Sequence, residues 1–257
     1  NVVGLVKHWN KVMDDNGAAA AKMKLGLKNP GDVDSVPSLG LYAQYFPSTR
    51  LIVQLRHPVQ WFESFYNFRV RNQVHRKGKN RMPPPMDLIG SCVSIRNSSY
   101  GCSKVVRCRP RADNVCTNRA QFHHGISRMG LTPLSTPEEW DLLDHHDMTI
   151  HPVRRPVFFL EVNQLAVPQE TLQRDLQSFL SLEDLPPMPP HHRPYTRVEE
   201  EMDICEEQYR RLRETLIRHG TRASTWIQEY LLQSPMAIVS SRESFIALVE
   251  KWKQDPC

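Results

Sequence analysis

The chain has 257 residues, 40% of them hydrophobic, which is enough to bury a sizeable core and excludes a disordered tail. Its net charge is only +5, but between Phe65 and Arg128 thirteen Lys or Arg stand against Asp87 and Asp113, a net of +11 that leaves −6 for the remainder. Such a segment suits anionic partners, whether nucleotide phosphates, sulfated glycans or nucleic acid, with a solvated basic loop as the alternative; nucleic acid is not expected because the basic run lacks interleaved aromatics and a recognised motif.

Residues 1–16 place Val2, Val3, Leu5, Val6, Trp9, Val12 and Met13 mostly at three- and four-residue intervals, predicting an amphipathic helix that Gly17 stops. No signal peptide or membrane span is visible in this opening run. The chain begins with Asn1 rather than Met, so an N-terminal part is expected to be missing. The stretch Lys24-Leu-Gly-Leu-Lys-Asn-Pro-Gly31 predicts a strand end running into a turn, and residues 38–46 predict a helix with Leu39, Tyr42, Ala43 and Phe46 on one side. Residues 51–55, Leu-Ile-Val-Gln-Leu, predict a strand buried on both faces of a parallel sheet. Pro58 suits the first turn of a helix that Trp61, Phe62, Phe65 and Phe68 continue.

From about 70 to 150 the pattern weakens into a basic, cysteine-rich insertion that holds the Pro83-Pro84-Pro85 run and a helix expected at 138–145. Order returns with a strand at 156–160 and a helix at 170–182 carrying Leu172, Leu176, Phe179 and Leu180. After the proline cluster 186–190, a C-terminal helical extension of about 200–257 is expected, with helices at 205–219 and 222–232, Asp203 as a cap and Gly220 as the stop of the first. Alternating strands and helices predict an α/β domain, a parallel sheet flanked by helices whose strands point their carboxyl ends toward a ligand.

Four of the six cysteines, Cys92, Cys102, Cys108 and Cys116, crowd one stretch, as disulfides in an oxidising compartment do. Zinc held by Cys102, Cys108 and Cys116 with His123 or His124 is the rival, without the paired C-x-x-C spacing. The histidine pairs 123/124, 145/146 and 191/192 also lack ligand spacing, so no metal is expected. Cys205 and Cys257 flank the predicted C-terminal helices, and a disulfide pinning the tail is expected between them. Asn97-Ser98-Ser99 is a glycosylation sequon.

An arginine between a buried strand and a helix N-terminus is placed to hold a phosphate through its forked guanidinium and the positive end of the helix. Arg56 is such a residue, and Ser64 lies eight positions further on; an ion-pair partner and a surface serine are the alternatives. The run Leu51-Ile-Val-Gln-Leu-Arg56-His-Pro58-Val-Gln-Trp-Phe-Glu-Ser64-Phe-Tyr66 resembles the 3′-phosphate-binding segment of sulfotransferases that use 3′-phosphoadenosine 5′-phosphosulfate (PAPS). Residues 157–165 followed by 171–182 are similar to the later strand, turn and helix of that family, where Glu161 would be structural. Leu27-Lys28-Asn29-Pro30 is similar to the E-K-S-P element of its glycan-modifying branch.

The resemblance implies a P-loop NTPase-like sulfotransferase fold over one domain, with Arg56 and Ser64 on the 3′-phosphate and Lys28 beside the transferred group. It also implies PAPS as co-substrate, no metal, a carbohydrate acceptor, for which the basic insertion suits an acidic glycan, and a Golgi or secretory location with a membrane anchor in the expected N-terminal part. Two features depart from the family. The K-x-G-T-T-like loop for the 5′-phosphosulfate has no counterpart, which the expected truncation accounts for. Leu27 replaces the acidic residue of E-K-S-P, leaving the base unassigned. His57 is expected to be structural. A degenerate, non-catalytic relative binding anionic glycan or nucleotide is the alternative.

Overall fold

A computed structural model describes residues 48–76, 84–88, 155–166, 170–183 and 201–257, with single positions at 11, 14, 15, 17, 42, 44–46, 126 and 129. The chain forms two compact units, Asn1–Asp32 and Val33–Cys257. In the first, Lys11, Asp14 and Asp15 are helical. Gly17 there has a φ of 51° and is in a 3-10 turn. The expected elements at 24–31 and 138–145 lie outside the described residues. In the second unit, Tyr42, Gln44 and Tyr45 are helical, within the segment predicted so.

The second unit is built on a parallel sheet in the order β1 (Leu51–Leu55), β2 (Val157–Glu161), β3 (Ala237–Val239). Leu51 pairs with Val157 and Leu55 with Glu161, so β1 and β2 end level with one another; Val157 in turn pairs with Ala237. Helices cover both faces. Val157 and Phe159 point toward α3 (Arg210–Glu229) and α4 (Arg242–Glu250), packing among Trp226, Ile227, Phe245, Val249 and Trp252. Phe158 and Leu160 alternate to the other face, against Leu172 and Leu176 of α2 (Glu170–Leu180). An α/β unit with a parallel sheet and flanking helices is what the alternation predicted.

Four expectations are corrected. β1 is not buried on both faces: Val53 and Leu55 are covered, but Ile52 is 42% exposed and Gln54 is also open, because β1 is the end strand of the described sheet and β2 is its wholly buried centre. Gly220 does not stop a helix; α3 runs through it to Glu229. A Cβ there would stand 2.5 Å from the Trp252 carbonyl oxygen, so the glycine serves close approach of the C-terminal segment. Asp203 caps no helix; its Oδ1 accepts the Cys205 N–H at 3.0 Å, and α3 starts later, after a 3-10 turn at Glu207–Tyr209. The region predicted as helices alone also supplies β3.

α1 (Pro58–Arg76) begins where predicted, with proline in its first position. It buries Val59, Phe62, Tyr66 and Val70 against Met202, Ile204, Leu212 and Leu216, a stripe at helical spacing. The Asn67 amide exchanges two 2.9 Å hydrogen bonds with the backbone of Met202, and Glu63 Oε1 accepts the Ile204 N–H at 3.2 Å. The expected disulfide joins Cys205 to Cys257.

Candidate functional site

Because β1 and β2 end in register, Arg56 follows β1 at the level where Glu161 closes β2. In parallel sheets this carboxyl edge is where ligands bind. Arg56 is half-buried, and its charge favours ionisation of Glu161 and disfavours protonation of His57, so the three groups share one electrostatic environment. Ser64 is exposed on α1, six residues beyond Pro58 and so about 9 Å along the helix axis. Lys28 lies outside the described residues.

Glu161 is fully buried. Its Oε2 accepts the Asn163 N–H at 2.6 Å, and the nearby His57 backbone N–H also favours the carboxylate. Burial nevertheless raises its pKa above the ordinary carboxylate value, against the pull of these donors and of Arg56. Gln164 holds the backbone beneath it, accepting the Glu161 N–H at 3.0 Å and donating to the Ser240 carbonyl, just past β3, at 2.7 Å. The structural role expected of Glu161 has a definite form: it closes β2 and faces the start of α1.

His57 caps α1. Its carbonyl accepts the Trp61 N–H at 2.8 Å and its Nδ1 accepts the Val59 N–H at 3.2 Å. Nδ1 is therefore unprotonated, and Nε2 carries the hydrogen toward the carbonyls of Lys251 (3.2 Å) and Gln254 (3.1 Å). Burial lowers its pKa, aided by Arg56 and opposed by those carbonyls and Asp255. With the folded value below the unfolded 6.5, the unfolded chain binds the proton first, and stability falls as pH drops below 6.5 through the folded value. Glu161 acts oppositely, its contribution present below 4.5 and lost as pH rises through its raised value. Thermal melts from about pH 7 to 5 are expected to show a smaller acid-side loss for His57→Gln than for the parent chain, since Gln does not titrate there; equal slopes would contradict the assignment.

At the positive end of α1, Pro58 has no N–H and the His57 ring takes that of Val59, so neither position offers a backbone donor to an anion. Arg56 and Ser64 are the side chains expected to meet one there. Of the basic segment, Arg71 is committed elsewhere, its Nε 2.7 Å from Oε1 of the buried Glu201. Sequence reasoning missed the contribution of Lys251, Trp252, Gln254 and Asp255. Two lysines flanking a tryptophan near a terminus carry no spacing signal, and the contacts join residues almost two hundred positions apart.

Compared with family models, with curated proteins and with solved structures, the chain finds no match.

Proposed function

We propose that the chain belongs to a sulfotransferase that moves a sulfuryl group from PAPS to a hydroxyl or amine of a carbohydrate acceptor. The observation that carries this reading is the strand, Arg56, Pro58 and helix unit at the carboxyl edge of a parallel sheet, with Ser64 exposed on the helix that follows. The fold would be the P-loop NTPase-like form of that family. Arg56 and Ser64 hold the nucleotide's 3′-phosphate, the guanidinium by a charge-assisted fork and the hydroxyl by one further bond.

In the reaction the acceptor oxygen or nitrogen attacks sulfur in line, the bond from sulfur to the phosphate oxygen breaks, and 3′-phosphoadenosine 5′-phosphate leaves. Lys28 is assigned to the charge that builds on the leaving phosphate. A base takes the acceptor's proton and has no residue assigned. The Cys205–Cys257 disulfide favours a secretory, Golgi-type location for this activity. The second reading, a non-catalytic protein binding anionic glycan or nucleotide, draws on the closeness of Arg56 to a buried carboxylate already in place.

Arg56→Ala is expected to weaken binding of 3′-phosphoadenosine 5′-phosphate by about thirtyfold, as for loss of a charged hydrogen bond, and Ser64→Ala by about fivefold. Calorimetric titration checks both. Unchanged affinity in Arg56→Ala would remove the nucleotide site from the carboxyl edge.

A further inference from the structure

We infer that His57 is a positioning residue whose imidazole ties the start of α1, and with it Arg56, to the disulfide-held C-terminal tail. Residue 57 is held from three directions. Its carbonyl begins the helical ladder at Trp61, Nδ1 accepts from Val59, and Nε2 donates between Lys251 and Gln254. Arg56 is the next residue back along the chain, so the backbone that aims its guanidinium ends at this anchor.

The tail is itself fixed within and beyond the histidine contact. Between Lys251 and Gln254, Trp252 is buried, with its carbonyl against Gly220 of α3. Downstream, Asp255 Oδ2 accepts from Arg213 Nε at 3.1 Å. Arg213 is buried and also donates to the carbonyls of Ile204 (2.7 Å) and Glu206 (2.8 Å), on either side of Cys205, which is bonded to Cys257. The tail is thus a fixed strut, and the imidazole joins it to the anion site. An ordinary helix cap needs only the Nδ1 contact; Nε2 reaches beyond the helix.

Two substitutions separate the contacts. His57→Asn keeps an acceptor where Nδ1 stands but does not reach the tail; His57→Gln extends an amide donor to where Nε2 stands and gives up the cap position. The inference rests on the nucleotide reading for one readout, affinity for 3′-phosphoadenosine 5′-phosphate, and is independent of it for a second, hydrogen exchange at the Trp61 and Phe62 amides. His57→Asn and the paired Cys205→Ser, Cys257→Ser variant are each expected to weaken affinity by roughly five- to tenfold, and their combination by no more than either, because both break one linkage.

His57→Gln is expected to bind nearly as the parent does, and the two amides are expected to exchange faster in the weakened variants alone. Tight binding by His57→Asn with weak binding by His57→Gln would mean a cap and nothing more, and multiplying effects would mean no linkage; either overturns the inference. If the parent chain binds no nucleotide, the functional reading falls and exchange alone decides: unchanged protection in His57→Asn overturns the linkage. If the cystine-free variant does not fold, the contrast between Asn and Gln decides.

Discussion

Replacing Cys205 and Cys257 together by serine is expected to lower the stability of the chain by about 4 kcal/mol. The bridge spans a separation of 52 residues that contains all of α3, β3 and α4. In the unfolded chain it removes the freedom of that whole loop, and the chain-entropy estimate grows with the logarithm of loop length. Against a total of about 5 to 15 kcal/mol for an ordinary domain, the loss is large. Paired substitution is the right perturbation because it leaves the cysteines of the 92–116 stretch untouched, whereas a reductant does not discriminate among thiols. Urea unfolding of the two proteins measures the difference. A loss below about 1 kcal/mol would mean that the bridge constrains the unfolded chain little.

Gly220→Ala is expected to destabilise by about 3 kcal/mol, the sign opposite to helix propensity. In a helix interior alanine is favoured over glycine by about 1 kcal/mol, and α3 is helical on both sides of residue 220. The new methyl carbon would lie 2.5 Å from the Trp252 carbonyl oxygen and 3.4 Å from Pro58 Cγ. The first contact is with backbone, which does not rotate away. Nor does the segment bearing it have freedom to retreat, because Trp252 is buried and the chain beyond is held by Asp255 and Cys257. A shift in the denaturation midpoint to lower urea is the expected outcome, and a shift to higher urea would show that propensity outweighs the close approach.

These two sites mark where the sequence was legible and where it was not. The run Leu51-Ile-Val-Gln-Leu followed by Arg-His-Pro announces β1 and the start of α1, because a β-branched apolar run and a proline at a helix start are local signals. β2 is legible for the same reason, from the apolar run Val157-Phe-Phe-Leu160. β3 is three residues long, too short for periodicity to register, and only its pairing with β2 makes it a strand. Gly220 reads as a stop when considered along the chain and as a contact point when Trp252 is placed beside it.

The candidate site divides in the same way. Arg56 and Ser64 stand out from motif order alone, and Cys205 and Cys257 from their flanking positions. The ring of groups around His57 is not local: Glu161 arrives through strand register, and Lys251, Gln254 and Asp255 through a tail folded back onto α1. His57 shows the limit most clearly. A structural role is legible, but the partners of its Nε2 are 194 and 197 positions away.

The most direct test of the central claim is a calorimetric comparison of 3′-phosphoadenosine 5′-phosphate with adenosine 5′-phosphate on the unaltered protein with its disulfide intact. The account predicts that the bisphosphate binds at least about tenfold more tightly, a difference of about 1.4 kcal/mol supplied by the 3′-phosphate. Equal affinities, or no binding of either nucleotide, would contradict it.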